Sequence, residues 1–302
     1  MALMSDSIWQ KYRDSGIVVR YIAVNVVLYV LLVLIGAFCL LFNSLPVARS
    51  VASLFELPAS PEALLHAPWT LMTYMFMHAG PFHLLWNMMA LYVFGKIFLN
   101  FYSVRHFVGV YFWGGLMGAL FFVVAYNVFP YFAPMVSRAV LVGASAAVLA
   151  IVVAAAVRAP GYRINLLFFG SVKLSTFSLV TVLLSFLLIA SDNAGGSFAH
   201  LGGAFAGWLL GWLLGRGVDM ASVVLKPYDW LCALSRIKWR GKKKKKSIFT
   251  YATNGRNADY EYNARKRADE AEVDRLLEKI KKGGYASLSE EEKKRLFDAS
   301  SR

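Results

Sequence analysis

SFAHLGGAFAGWLLGWLLG, residues 197–215, contains one titratable side chain, His200, and a small residue at every fourth position: Ala199, Gly203, Gly207, Gly211 and Gly215. A helix rises 1.5 Å per residue, so about 20 mostly apolar residues cross the roughly 30 Å hydrocarbon core of a bilayer. Small residues spaced by four form a stripe along which two membrane helices approach through their backbones. The segment therefore reads as a membrane helix packed mainly by protein. An ionisable residue inside such a helix is a candidate functional residue.

The same ruler, carried outward, finds five more apolar segments: 18–42, 82–101, 107–129, 140–157 and 173–190. The first is too long for the core of a cleavable signal peptide and no small-residue cleavage site follows it, so it reads as a retained helix. The fourth and sixth are short and rich in Ala or Gly, which marks them as central. The composition agrees: of 302 residues, 58% are apolar and 17% charged, and the mean hydropathy is +0.52. Such values exclude a disordered chain and an ordinary soluble enzyme. Two cysteines, Cys39 and Cys232, exclude a disulfide framework and a Cys-based zinc site. The expected fold is an all-α membrane bundle of six transmembrane helices.

Charge is unevenly placed. Residues 1–217 carry 11 Lys/Arg and 5 Asp/Glu, and residues 218–302 carry 21 and 13. Lys11, Arg13, Arg20, Lys96, Arg105, Arg158, Arg163 and Lys173 fall on one side of the six segments, against Arg49 and Arg138 on the other. The positive-inside rule then puts both termini in the cytoplasm, and the alternation suits a bacterial-type plasma membrane. Three regions result: a cytosolic segment 1–17, a membrane domain 18–217 and a basic cytosolic tail 218–302. The loop from Asn43 to Met77 is too apolar for a solvated linker and suits the outer interface. In the tail, Lys242 to Lys246 form an unbroken lysine run that fits anionic lipid headgroups better than nucleic acid. Asp269 with Glu272 and Ser289 with Glu292 read as capping boxes. Between them Val273, Leu276, Leu277 and Ile280 line one face and Gly283-Gly284 closes it, which predicts a helical hairpin at 269–299.

Four polar residues fall in the same leaflet. Ser145 lies about five residues into the fourth segment and His200 about three into the sixth, both counted from the outer end. His83 and Asn87, spaced i and i+4, share a face at the outer end of the second. A serine hydroxyl is a poor nucleophile until a base takes its proton, and imidazole is the usual base. No carboxylate accompanies the pair. Asp192, in the loop before the sixth segment, reads as a turn residue, so the chemistry is that of a dyad. His83, the Asn87 amide and the Ser145 backbone N–H are candidate donors to a tetrahedral oxyanion. A lone membrane serine is ordinarily only bonded back to its own helix; the shared depth of the four residues carries the reading. His66 and His106 read as structural. No HExxH and no Gly-rich phosphate loop occurs, so neither a metal nor another cofactor is expected.

These residues resemble the rhomboid intramembrane serine proteases over roughly residues 18–215. Met77-His78-Ala79-Gly80-Pro81-Phe82-His83-Leu84-Leu85-Trp86-Asn87 is similar to that family's second-helix pattern, Gly143-Ala144-Ser145-Ala146 to its nucleophile motif, and Ala199-His200 with Gly203 and Gly207 to its base motif. The resemblance implies a Ser145–His200 dyad, with His83, Asn87 and the Ser145 amide as oxyanion donors. It implies cleavage of transmembrane protein substrates near the outer membrane face, at segments that unwind. It makes His78 a structural histidine of the first loop and sets the second and fifth helices beside substrate entry. Three positions depart from the family pattern: Ala146 stands where Gly is usual, Thr70 follows Trp69 where Arg is common, and Leu149 occupies a position often aromatic and beneath the histidine. The alternatives are a catalytically silent rhomboid-like protein that binds membrane clients, which Ala146 and Leu149 keep open, and a transporter or channel, which the nearly bare midplanes disfavour.

Overall fold

A computed structural model describes residues 16–166, 170–191, 193–226, 229–230, 275–276, 278–281 and 288–293. The chain divides into two units, Met1–Ala233 and Leu234–Arg302.

Among the described residues the first element is α1 (Ile17–Leu41), which is overwhelmingly apolar and largely exposed, as a helix facing lipid must be. It meets the bundle through Tyr21, whose ring packs edge-on against Tyr111 at 4.8 Å and Phe107 at 5.6 Å. The loop that follows is folded. It contains α2 (Leu45–Ser53), β1 (Leu57–Pro58), α3 (Pro61–His66), α4 (Thr70–Thr73) and a 3₁₀ turn at Tyr74–Phe76. The Trp69 indole donates to the Leu54 carbonyl at 2.7 Å and the Thr73 hydroxyl to that of Phe55 at 2.9 Å. Thr70 is buried, with its hydroxyl on the Ala67 carbonyl, so in place of an arginine here a short hydroxyl closes the turn locally. Tyr74 and Met75 leave the loop and enter the bundle, both fully buried. The Tyr74 hydroxyl donates to the Gly115 carbonyl at 2.7 Å, and the Met75 thioether occupies the space that a side chain at Gly115 would fill. The loop is thus more than an interfacial skirt.

Next come α5 (Pro81–Leu99) and α6 (Val104–Val128), the latter capped by the Ser103 hydroxyl on the His106 N–H. The short strand β2 (Val140–Leu141) pairs antiparallel with β1, Leu57 opposite Leu141. Then α7 (Ser145–Arg158) runs through the centre, buried at every residue from Ala146 to Ala156. A hairpin of β3 (Arg163–Leu166) and β4 (Gly170–Lys173) leads to α8 (Leu174–Leu187) and a 3₁₀ turn, and α9 (Ala194–Gly215) closes the bundle.

All six apolar segments contain a helix, and among the described residues four helices, α1, α5, α6 and α9, are long and apolar enough to cross a membrane. The other two, α7 and α8, have 14 residues each. Two boundaries differ from the sequence reading. Residues 140–144 are not helical, because Val140–Leu141 pair with β1 and Gly143 sits at φ +126°, so α7 starts at Ser145 itself. Conversely, α9 starts three residues before Ser197, because the Asn193 side chain accepts from the Gly196 N–H and caps a glycine pair that reads as loop.

The compact unit also continues past Gly217. The Trp113 indole donates to the Met220 carbonyl at 3.1 Å, Arg105 pairs with Asp229, and His106 lies 3.4 Å from Asp219. The Ala221 carbonyl lies so close to Gly109 that no side chain fits there. In the second unit, the Ser289 hydroxyl accepts from the Glu292 N–H at 3.3 Å and a Glu292 carboxylate oxygen accepts from the Ser289 N–H at 2.8 Å, a reciprocal cap. Asp269, Glu272, Cys232, Asp192 and the run Lys242 to Lys246 lie outside the described residues.

Candidate active site

Ser145 occupies the first turn of α7, where backbone N–H groups have no intrahelical acceptor and the helix dipole presents its positive end. Because α7 starts at Ser145, its N–H has no acceptor within the helix and is free to face a ligand. The approach to it is fixed by Gly143, whose N–H donates to the Tyr74 carbonyl at 3.0 Å. Only glycine adopts φ +126° readily. A side chain there would also strike the His83 ring, since a Cβ would lie 2.8 Å from its Cε1 and 2.9 Å from its Nε2. That Cβ would stand 3.7 Å from Ser145 Oγ, which sets the His83 ring beside the serine.

His200 lies one turn further into α9 than its sequence position suggested, in line with the earlier helix start. Its Nε2 is 2.8 Å from Ser145 Oγ, a hydrogen-bond distance. The two helices meet through small residues. A Cβ on Gly203 or Gly207 would collide with the carbonyl oxygens of Ala146 and Ala150, and one on Gly211 would lie 3.0 Å from the Ala154 Cα. Three members of the glycine stripe thus seat on α7, whereas nothing lies within 4 Å of a Cβ at Gly215. The extra methyl of Ala146 has a place of its own: it is buried against Gly118 of α6, where a second Cβ would come within 2.6 Å. Leu149 is buried, and among the described residues no aromatic ring packs on His200.

His83 Nδ1 accepts from the Ala79 N–H at 3.3 Å, which leaves the ring proton on Nε2, the nitrogen facing Gly143. Asn87, one turn on, donates one amide hydrogen to the His83 carbonyl at 2.8 Å and retains the other. Ser145, His200 and His83 are half-buried, while Asn87 is buried. His78 packs edge-on against His83 at 5.2 Å. Both of its ring nitrogens are buried, with no well-formed hydrogen bond, and burial, with the neighbouring His83 adding to it and the Phe76 backbone opposing it weakly, pushes the imidazole down to about 4. It is a neutral packing group.

One contact was not anticipated from the sequence: Ser185 of α8, itself buried, lies with Oγ 3.2 Å from His200 Nδ1. Its signal was the polar series Ser178, Thr181 and Ser185 on one stripe of an apolar helix, which resembles ordinary back-bonding to the preceding turn.

The arrangement holds a hydroxyl on an imidazole nitrogen at the start of a helix, with a second imidazole ring beside it. Those are the parts of acyl transfer through a serine. The model of the Rhomboid domain matches residues 66–217, and that of a family of unknown function (DUF6576) matches residues 256–302. No curated protein matches the chain.

Proposed function

The chain belongs to the rhomboid family, and from that premise we propose that it is an intramembrane serine endopeptidase working through a Ser145–His200 dyad. It is an integral, multi-pass membrane protein, and we read all six helices as spans, with both termini cytoplasmic. The observation that carries the proposal is the 2.8 Å contact between Ser145 Oγ and His200 Nε2 at the open end of α7.

In the reaction, Ser145 Oγ attacks the scissile carbonyl carbon as its proton passes to His200 Nε2. Negative charge grows on the former carbonyl oxygen, toward the Ser145 N–H and the His83 Nε2–H. The second hydrogen of the Asn87 amide is a further donor, available because the first is held on its own helix. The C–N bond breaks as His200 returns the proton to the leaving amine, which leaves an ester on Ser145. Water, deprotonated by the same imidazole, then hydrolyses the ester. Each oxyanion donor is expected to contribute about 10²–10³ in rate.

Membership of the rhomboid family and the partial exposure of Ser145 and His200 favour transmembrane protein substrates cleaved near the outer face, at segments able to leave the helical state and present a carbonyl. Lys242 to Lys246 suit anionic lipid headgroups at the cytoplasmic surface. The second reading, a silent client-binding member, draws on Leu149 and on the lack, among the described residues, of an aromatic ring against His200.

The test is labelling of the purified protein in detergent with a fluorophosphonate, comparing wild type, Ser145→Ala and His200→Ala. Labelling of the wild type, lost by about 10³-fold or more in both variants, is the expected result. A folded wild type that takes no label, and cleaves no reconstituted transmembrane substrate, would overturn the reading in favour of the silent one.

A further inference from the structure

His200 is held from two sides by hydroxyl groups, and the two sides are not equivalent. Ser145 Oγ lies 2.8 Å from Nε2 and Ser185 Oγ 3.2 Å from Nδ1. Ser185 Oγ also lies 2.9 Å from the Thr181 carbonyl oxygen, one turn back along α8. A hydroxyl has one proton, and a carbonyl oxygen only accepts. The Ser185 proton is therefore committed to Thr181, and toward His200 the same oxygen presents lone pairs. Thr181 does not interfere, because its own hydroxyl donates to the Phe177 carbonyl at 2.9 Å.

An accepting oxygen at Nδ1 selects the tautomer that carries its proton there. Nε2 is then unprotonated and faces the Ser145 hydroxyl as an acceptor, the form a general base requires. In the opposite tautomer Nε2–H would point at Ser145 and no proton could be taken. We propose that Ser185 is a positioning residue that fixes the tautomer and ring orientation of His200, the part that an aspartate plays in serine triads. This rests on the proteolytic reading of the dyad for its catalytic consequence, though not for the tautomer itself. Ser185 is buried and neutral, so it orients the imidazole without placing a charge in the bundle.

The experiment combines ¹⁵N NMR of ring-labelled histidine with fluorophosphonate labelling rates, both on the full chain in detergent. The His200 signals are assigned by their loss in His200→Gln. The wild type should show His200 protonated at Nδ1 and bare at Nε2. Ser185→Ala should mix in the Nε2–H form and slow labelling by tenfold or more, while Ser185→Thr, which retains a hydroxyl, should keep the wild-type tautomer and a rate within threefold. A wild-type His200 protonated at Nε2, or a tautomer indifferent to Ser185→Ala, would overturn the proposal even if the protein labels well. A correct, Ser185-dependent tautomer in a wild type that never labels would instead overturn the protease reading and leave the role of Ser185 standing.

Discussion

Gly203 and Ala146 touch backbone to backbone: a single methyl group on Gly203 would overlap the Ala146 carbonyl oxygen. The residue after the candidate nucleophile is thus the seat of the helix that carries the candidate base. Gly203→Ala should separate α7 from α9, destabilise the protein by about 1–3 kcal/mol or more, and lower labelling. Gly36→Ala, on α1 with nothing within 4 Å of the new methyl, is the matched control and should be neutral. Thermal unfolding in detergent, read beside the labelling rate, checks both.

His83 is expected to act as a donor and not merely as a filler. His83→Phe keeps a ring against Gly143 but removes the Nε2–H, and should cut peptide cleavage by about 10²–10³ with little change in melting temperature. If His83→Phe cleaved at the wild-type rate, the oxyanion would have to be served by the Ser145 N–H and Asn87 alone.

His78 makes stability depend on pH. Its folded value, about 4, lies below the usual 6.5, so between those values the unfolded chain binds a proton that the folded chain does not. Stability from this group is full above about pH 6.5 and falls as pH drops toward 4. The melting temperature should fall between pH 7 and pH 5 by less in His78→Phe than in the wild type. Equal falls would show that His78 contributes nothing.

The contacts of Asp219, Met220, Ala221 and Asp229 with the start of α6 predict where the chain tolerates truncation. Removal of residues 234–302 should leave labelling within about twofold, whereas removal from residue 218 should lower the melting temperature and the yield of folded protein. Loss of labelling in the shorter deletion, with the protein folded, would assign the second unit a part in the reaction.

Apolar length located the six helices, because burial in lipid or in a packed core imposes long runs that loops do not tolerate. The i, i+4 spacing of His83 and Asn87 was equally legible, and appears as a hydrogen bond between them. The start of α7 was not: residues 140–144 are apolar, and it is the pairing of Val140–Leu141 with β1 and the positive φ of Gly143 that keep them out of the helix. The loop between α1 and α5 is opaque in the same way, since an apolar stretch does not reveal that Tyr74 and Met75 will pack against Gly115. Ser185 was hidden because a serine bonded to its own helix and a serine that also holds a histidine have the same sequence signature.

The enclosure of α7 has a consequence for the membrane around the protein. At 14 residues the helix is about 21 Å long, well short of a hydrocarbon core of about 30 Å. It is sheathed by its neighbours along nearly its whole length, so lipid does not feel the mismatch. Thicker or thinner bilayers would be met by tilting of exposed helices such as α1, while the distance from Ser145 to His200 stays set by glycine contacts inside the bundle. Cleavage should then vary with lipid thickness through substrate delivery, and the reactivity of Ser145 toward a small probe should not.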